Sequence, residues 1–431
     1  MSILLTNAEI LIRKDNKYET IHSGFLGVDG KNIDYVGSKK PDKKYDVIKD
    51  FSNKLLMPGL VNNHTHSPMV LLRGFGSGHS LQDWLNNFIF PTEAKLTPEQ
   101  IKWASYYAIL EMLASGTSSF TDMYFFPEET AKAVIDSGIK ANINKYISCF
   151  DENQRIEDSQ IKGSIDFINE YHNAAEGRLK VDYSIHAEYT NKPHIVKEYS
   201  RLCKINNGRM HIHLSETKDE TMKCYEKYGM TPTKWFESLG TFDVPTLAAH
   251  CVWVDSEDCK ILADHQVNVV HNPTSNMILG SGFAPLGKFK RFGINVSLGT
   301  DGCASNNNLN MFEEMHIGLL ISDGFHLDPL FLTNNDIIDM ATINGYKAQG
   351  RNNSGVIEVG KCADIIALDL NKIHLYPAYD IPTLIVTSVQ ASDVCMNMVD
   401  GKILYEDGNY LTLDKELIIK EFEKCVKQLS L

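Results

Sequence analysis

Between residues 57 and 354 short apolar runs alternate with longer stretches of helical period, the pattern of βα units that feed a parallel sheet. Eight runs can be counted: LLMPGLVNNHTH, TSSFTDMY, KANINKYI, KVDYSIHAE, GRMHIHLSE, TLAAHCVWV, NVVHNP and NVSLGTDG. Segments such as PEQIKWASYYAILEMLAS after the first run and ETMKCYEKYGMTPTKWFESLG after the fifth carry the helical spacing. Each run opens apolar and closes polar, on His64 and His66, Asp122, Lys145, His186, His213 and Glu216, His250, His271, and Asp301 in turn. A parallel strand covered on both faces is expected to be apolar throughout, so polar groups at the same end of every run need a cause. An α/β fold of TIM type, a (β/α)8 barrel whose carboxyl strand ends meet at one mouth, supplies it.

The flanks read differently. Residues 1–56 break into ILLTNAEILI, GFLGVDG, NIDYVGS and KYDVIKDFS, and residues 355–431 into GVIEVGKCADIIALDL, DVCMNMVDGKILYEDGNY and a closing helix DKELIIKEFEKCVKQLS. Neither flank has strands enough to stand alone. The two are expected to combine into a small β-sandwich beside the barrel domain of residues 57–354.

Composition narrows the classes. A 43% hydrophobic and 23% charged chain is an ordinary globular protein. A net charge of −13 argues against a nucleic-acid partner held through its phosphates, while a single pocket for a small nucleoside is insensitive to that total. The amino terminus, MSILLTNAEILIRK, lacks the apolar core of an export signal, and no run approaches the ~18 apolar residues of a membrane span. Nine scattered Cys without a CxxC pair fit a reducing cytoplasm rather than a disulfide frame.

Candidate chemistry concentrates at the run ends. His64-Thr65-His66 places two imidazoles on one face of a strand, as two ligands for a first-row metal. His211-Ile212-His213 repeats the spacing; His213 is nearer its strand end, and His211, one layer deeper, reads as a packed or hydrogen-bonded histidine. With Asp301 at the end of the eighth run, three His and one Asp suit one divalent ion per subunit, zinc or Fe2+, with a water completing the site. Glu216, three residues past His213, is placed to deliver a proton, and His250 to orient the water or hold charge. The fourth run ends Ser184-Ile185-His186-Ala187-Glu188 without a Lys to bridge two ions, so one metal is expected. Arg73, Gly74, Phe75 and Trp84 form a long first loop able to cover a planar ligand. Glu93 either accepts bonds from sugar hydroxyls or merely precedes a helix, and His271 braces the mouth.

These motifs, MPGLVNNHTHSPMVLLRG, HIHLSET, AAHCVW, HNPTSN and SLGTDGCASNNNLNMFEEM, resemble the amidohydrolase superfamily, and within it the 5-methylthioadenosine/S-adenosylhomocysteine deaminases. The similarity runs in order along nearly the whole chain, through DWLNNFIFPTEAKLT, FTDMYFF and GVIEVGKCADIIALDL. The resemblance implies a mononuclear, normally zinc-dependent barrel with His64, His66, His213 and Asp301 as ligands. It implies hydroxide attack at C6 of adenine, with Asp301 taking the proton, Glu216 protonating N1 and His250 near the water. It also implies Glu93 and His186 as ribose-side contacts and Trp84 as part of the adenine pocket. The family often forms homo-oligomers.

Two residues depart from the pattern. Lys145 stands where the family shows an Arg, with Arg155 in the next loop as a second cation for the carboxylate of a homocysteine tail. Lys lacks the bidentate fork, which puts preference for S-adenosylhomocysteine in question. His211 replaces a usually small residue. The competing readings are a related amidohydrolase acting on a guanine- or triazine-type heterocycle, and a scaffold that has lost its chemistry; the second is opposed by the presence of every ligand and of Glu216.

Overall fold

The computed structural model describes residues 1–155 and 159–429. Five strands open the chain: β1 (Ser2–Lys14), β2 (Lys17–Asp29), β3 (Asn32–Gly37), β4 (Val47–Asp50) and β5 (Lys54–Pro58). Asp15 and Asn16 turn β1 into β2 with φ of 48° and 63°, the left-handed pair that a tight hairpin requires. Nine strands follow: β6 (Leu60–Thr65), β7 (Thr117–Met123), β8 (Lys140–Asn144), β9 (Leu179–Val181), β10 (Tyr183–Ile185), β11 (Met210–Leu214), β12 (Thr246–His250), β13 (Asn268–His271) and β14 (Val296–Leu298). Four more complete the list: β15 (Ile365–Asp369), β16 (Val394–Val399), β17 (Lys402–Glu406) and β18 (Asn409–Tyr410).

The middle strands make two parallel sheets, β6 to β9 and β10 to β14, each in chain order. β9 and β10 belong to one predicted run, interrupted at Asp182. There the Asp182 N–H turns back to the Ile143 carbonyl of β8, and the Tyr183 N–H reaches forward to Arg209 before β11. Across the other seam the Asp301 N–H donates to the His64 carbonyl at 2.8 Å, and the Thr300 N–H to Asn62 Oδ1 at 3.0 Å. The chain after the last strand is thereby tied to the first.

The flanks do meet, in one nine-stranded sheet that joins β5 to β15 in antiparallel register, Leu56 opposite Ala367. Its apolar interior draws Leu5, Ile10 and Leu26 from one flank and Ile365, Met396 and Met398 from the other. The closing helix, Lys415–Leu429, lies instead on the helix Pro98–Ala114, with Phe422 stacked on Tyr107 at 4.0 Å.

Two local expectations are corrected. The single helical segment after the fifth run is two helices, Lys218–Tyr228 and Pro232–Ser238, because Gly229 takes a φ of 71° and Pro232 starts afresh. The long first loop is largely helical: after Ser67–Leu72, residues 81–93 form one helical stretch widened by a π-turn at Leu85–Ile89, and Glu93 ends it.

A buried charge cluster ties the nine-stranded sheet to the parallel one. The Lys140 ammonium, at the start of β8, lies 2.6 Å from Asp364 Oδ2 and 2.6 Å from Asp400 Oδ1. Burial alone would lower the pKa of that ammonium; the two carboxylates outweigh burial and raise it. Removing the cation leaves two carboxylates buried without their partner. Lys140→Met is therefore expected to lower unfolding free energy by about 3–5 kcal/mol, read as a fall in the urea midpoint; an unchanged midpoint would mean the cluster is structurally idle.

Candidate active site

His64 lies near the end of β6 and His66 just beyond it, and strand alternation turns both to one side. The His66 Nδ1–H donates to the Met123 carbonyl at 2.5 Å, and the His213 Nδ1–H, from β11, to the His186 carbonyl at 2.7 Å. Each ring is held with a bare Nε2, and those two nitrogens face each other at 3.4 Å. Asp301 Oδ1 lies 3.2 Å from His66 Nε2 and 3.3 Å from His64 Nε2. His64 Nε2 is buried and makes no hydrogen bond of proper geometry among the described residues. The other carboxylate oxygen of Asp301 is occupied, accepting from Ser275 Oγ at 2.6 Å and Ser305 Oγ at 2.8 Å.

Lone pairs aimed at one another across 3.4 Å repel unless a positive charge stands among them. The donor set fits a divalent ion on that ground: ligand atoms of His64, His66 and Asp301 lie within 4.8 Å of one another, His213 faces His66 from the other side, and two of the rings have their tautomers locked by backbone carbonyls. Where no ion supplies that charge, a proton on His66 Nε2 facing Asp301 does. Burial would raise the Asp301 carboxyl, yet the facing rings of His64 and His66 outweigh it and hold its pKa well below the ordinary value. Burial pulls His66 down, but Asp301 and the Met123 carbonyl push it up to about 9; His64, with burial dominant, falls to about 4.

Around this centre the predicted residues take distinct places. The His250 Nδ1–H donates to Asn276 Oδ1 at 2.9 Å, and its Nε2 stands 3.9 Å from Glu216 Oε2. Ligand atoms of His64, His213 and His250 also lie within 4.8 Å of one another. Glu216 is buried and accepts from Ser281 Oγ at 3.3 Å; burial pushes its carboxyl up to about 7 against the pull of His250. Ser215, His250 and Asp301 adopt left-handed backbones, with φ of 49°, 72° and 63°. Such strain in non-glycine residues costs on the order of 1–3 kcal/mol each and marks sites that the surrounding fold over-determines.

The centre forms one wall of a cavity that also touches Trp84, Glu93, His186 and Tyr189. A second cavity shares Phe90, Glu93, Tyr146 and His186 with it and is otherwise lined largely by Leu96, Phe125, Phe126 and Phe150. Glu93, buried where the two meet, has its carboxyl raised to about 7 by burial. Trp84 donates its indole N–H to the Phe75 carbonyl at 3.3 Å. Lys145 and Arg155 are not brought to the wall of either cavity. Asn144 takes the inward position at the end of β8, so Lys145 turns outward, 3.4 Å from Glu128; Arg155 is exposed at the edge of the described residues. The ring nitrogens of His271 have no partner among the described residues, so no hydrogen bond from its ring braces the mouth.

Sequence reasoning missed Tyr124, Tyr146 and Tyr189 on the wall and the seryl pair on Asp301. The serines lie inside HNPTSN and DGCASNNN, stretches rich in short hydroxyl and amide side chains, which was the available signal.

Fold and donor set together define a hydrolase of the amidohydrolase class. The chain belongs to the amidohydrolase family, which residues 55–404 match. It is 42% identical over 430 residues to a 5-methylthioadenosine/S-adenosylhomocysteine deaminase of Caldanaerobacter subterraneus subsp. tengcongensis, covering 100% of this chain and 99% of the other. It is 40% identical over 428 residues to a 5'-deoxyadenosine deaminase of Methanosarcina mazei, covering 99% and 98%. Among solved structures, an adenosine deaminase of Xanthomonas campestris with bound zinc superposes with a TM-score of 0.92 at 26% identity, covering 99% of this chain and 98% of that one. An atrazine chlorohydrolase of Arthrobacter aurescens, with zinc, reaches 0.91 at 22%, covering 98% and 100%, which shows a shared fold alone.

Substituting His66, His213 or Asp301 by Ala is expected to weaken zinc binding by more than the 10–100-fold typical of losing an outer hydrogen-bond partner, measured by elemental analysis and chelator competition. Full zinc retention by His213→Ala would remove it from the ligand set.

Proposed function

We propose that the protein removes the 6-amino group of adenosine-type nucleosides by hydrolysis, yielding the inosine analogue and ammonia, with one zinc ion held by His64, His66, His213 and Asp301. The observation that carries this reading is the pair of facing Nε2 lone pairs beside Asp301, with a buried carboxyl, Glu216, on the same cavity wall. The deaminase names of relatives about 40% identical over the whole chain support it; the heterocycle chlorohydrolase at 22% shares only the fold.

A divalent ion held by these residues would lower the pKa of a bound water and so supply a nucleophile near neutral pH. Ser275 and Ser305 keep Asp301 Oδ2 engaged, which leaves Oδ1 as the oxygen able to accept the water's proton. Glu216, held toward its acid form by burial, delivers a proton to N1 as electrons arrive on the ring. His250, fixed by Asn276, presents its bare Nε2 and orients the water. Trp84, with Leu81 and Leu85, supplies an apolar flank for the purine, and Glu93 and His186 stand where ribose hydroxyls would lie.

We also read the two parallel sheets as one closed (β/α)8 barrel of residues 57–354. The hydrogen bonds at both seams support that closure. Residues 1–56 and 355–431 then form a β-sandwich around the apolar interior that they share. Free thiols at all nine Cys support the cytoplasm as its compartment; no helix among the described residues is long and apolar enough to cross a membrane.

The second cavity bears on the 5' substituent. None of the described residues lining it is Lys or Arg, and its wall is mostly aromatic, which favours a neutral thioether or deoxy group over a charged homocysteine tail.

Two measurements test these readings. Glu216→Gln is expected to keep zinc and fold while ammonia release from 5'-methylthioadenosine falls by about 10²–10⁴-fold; unchanged turnover would refute the proton-carrier role, and no turnover of any adenosine by the unaltered protein would refute the function. In a panel of 5'-substituted adenosines, kcat/KM for 5'-methylthioadenosine is expected to exceed that for S-adenosylhomocysteine by at least about tenfold, roughly 1.4 kcal/mol. Equal values would overturn the apolar reading of the second cavity.

A further inference from the structure

His211 is the second residue of β11, wholly buried, and lines neither of the two cavities. Its Nε2 is 3.0 Å from His64 Nδ1, and its Nδ1 is 3.1 Å from the amide nitrogen of Asn144, at the end of β8. The amide oxygen of Asn144 is buried without a partner. These contacts form a line from Asn144 through His211 to His64, and the placement of one proton along it decides what His64 can do.

If the amide nitrogen of Asn144 donates to His211 Nδ1, a neutral His211 carries its proton on Nε2 and gives it to His64 Nδ1. His64 then bears its own proton on Nε2, the atom aimed at Asp301, and cannot ligate through it. Turning the amide over exchanges two ends of nearly equal shape and reverses the line. The oxygen accepts from His211 Nδ1–H, His211 Nε2 accepts from His64 Nδ1–H, and His64 Nε2 is left bare. This arrangement gives the oxygen a partner, leaves the amide nitrogen in the oxygen's former place, and matches the tautomer that backbone carbonyls impose on His66 and His213.

We propose that His211 and Asn144 are positioning residues that set His64 in its metal-binding tautomer, with Asn144 presenting its oxygen to His211. The role rests on the ligand assignment made above. It does for His64 what the Met123 and His186 carbonyls do for the other two rings, through side chains because no backbone carbonyl contacts His64 Nδ1 among the described residues.

The test is zinc affinity of the full-length protein by chelator competition, with circular dichroism as the check on folding. His211→Leu and Asn144→Leu are each expected to weaken zinc binding about 10–100-fold. Asn144→Asp, which keeps an acceptor and removes the donor, is expected to stay within about threefold of the unaltered protein. Zinc affinity unmoved by His211→Leu would overturn the relay while leaving the proposed function standing. Loss in Asn144→Asp as large as in Asn144→Leu would show that the amide donates, and would also overturn it. Should His211→Leu fail to fold, the two Asn144 variants decide the matter alone. No zinc binding by the unaltered protein would overturn the ligand assignment, and the relay with it.

Discussion

Two imidazole nitrogens with their lone pairs directed at each other are the constraint around which this molecule is arranged. Neither ring can escape by changing tautomer, because each Nδ1–H is committed to a backbone carbonyl, Met123 for His66 and His186 for His213. Those carbonyls sit at the ends of β7 and β10, so the tautomers are fixed by the sheets and not by neighbouring side chains that could rearrange. Asp301, the proposed fourth donor, is carried by the seam where the chain after β14 bonds to β6. Loosening that seam would move the carboxylate relative to His64 and His66 at once. The proposed chemistry and the proposed closure of the strands therefore depend on the same few hydrogen bonds.

The backbone departs from its easy conformations at the corresponding points. Ser215, His250 and Asp301 follow or end β11, β12 and β14 with positive φ. A strand that continued straight would carry Glu216 and Asp301 on past the mouth. The left-handed step bends the chain at once, so that His213 and Glu216, three residues apart, both line one cavity. A strained but rigid site loses little to reorganisation when charge develops on a substrate.

The parts of this site that were legible in the sequence are those whose geometry is local. His64 and His66 share a face because a strand has a period of two, and the choice of His213 over His211 followed from depth along one strand. The alternation of runs and helical segments located the parallel strands, and pairing of the flanks followed from their incompleteness. What could not be read are contacts between distant elements: the serines on Asp301, the tyrosines of the wall, and the line from Asn144 to His64. Lys145 was placed toward the substrate because it closes an apolar run. Which of Asn144 and Lys145 turns inward depends on the register of β8 against its neighbours, a quantity absent from the run itself. The break at Gly229 was visible, but a helical period continuing across it masked the turn.

The orientation of Lys145 matters more than the strength of its ion pair. An exposed or half-exposed Lys–Glu contact is worth roughly 0–1 kcal/mol, so Glu128 alone would not hold the ammonium from a substrate carboxylate offering a better geometry. The obstacle is direction. The Asn144 side chain occupies the inward position and is engaged with His211, while Lys145 leaves the strand on the opposite side, beside Gly163 on the helix Ser159–Tyr171. To turn Lys145 inward at that point, β8 would have to slip by one residue. That slip would withdraw Asn144 from His211 and disturb the ring of His64. On this view recognition of a charged 5' tail and support of the metal-side histidine compete for the same strand end, and in this chain the strand is committed to the histidine.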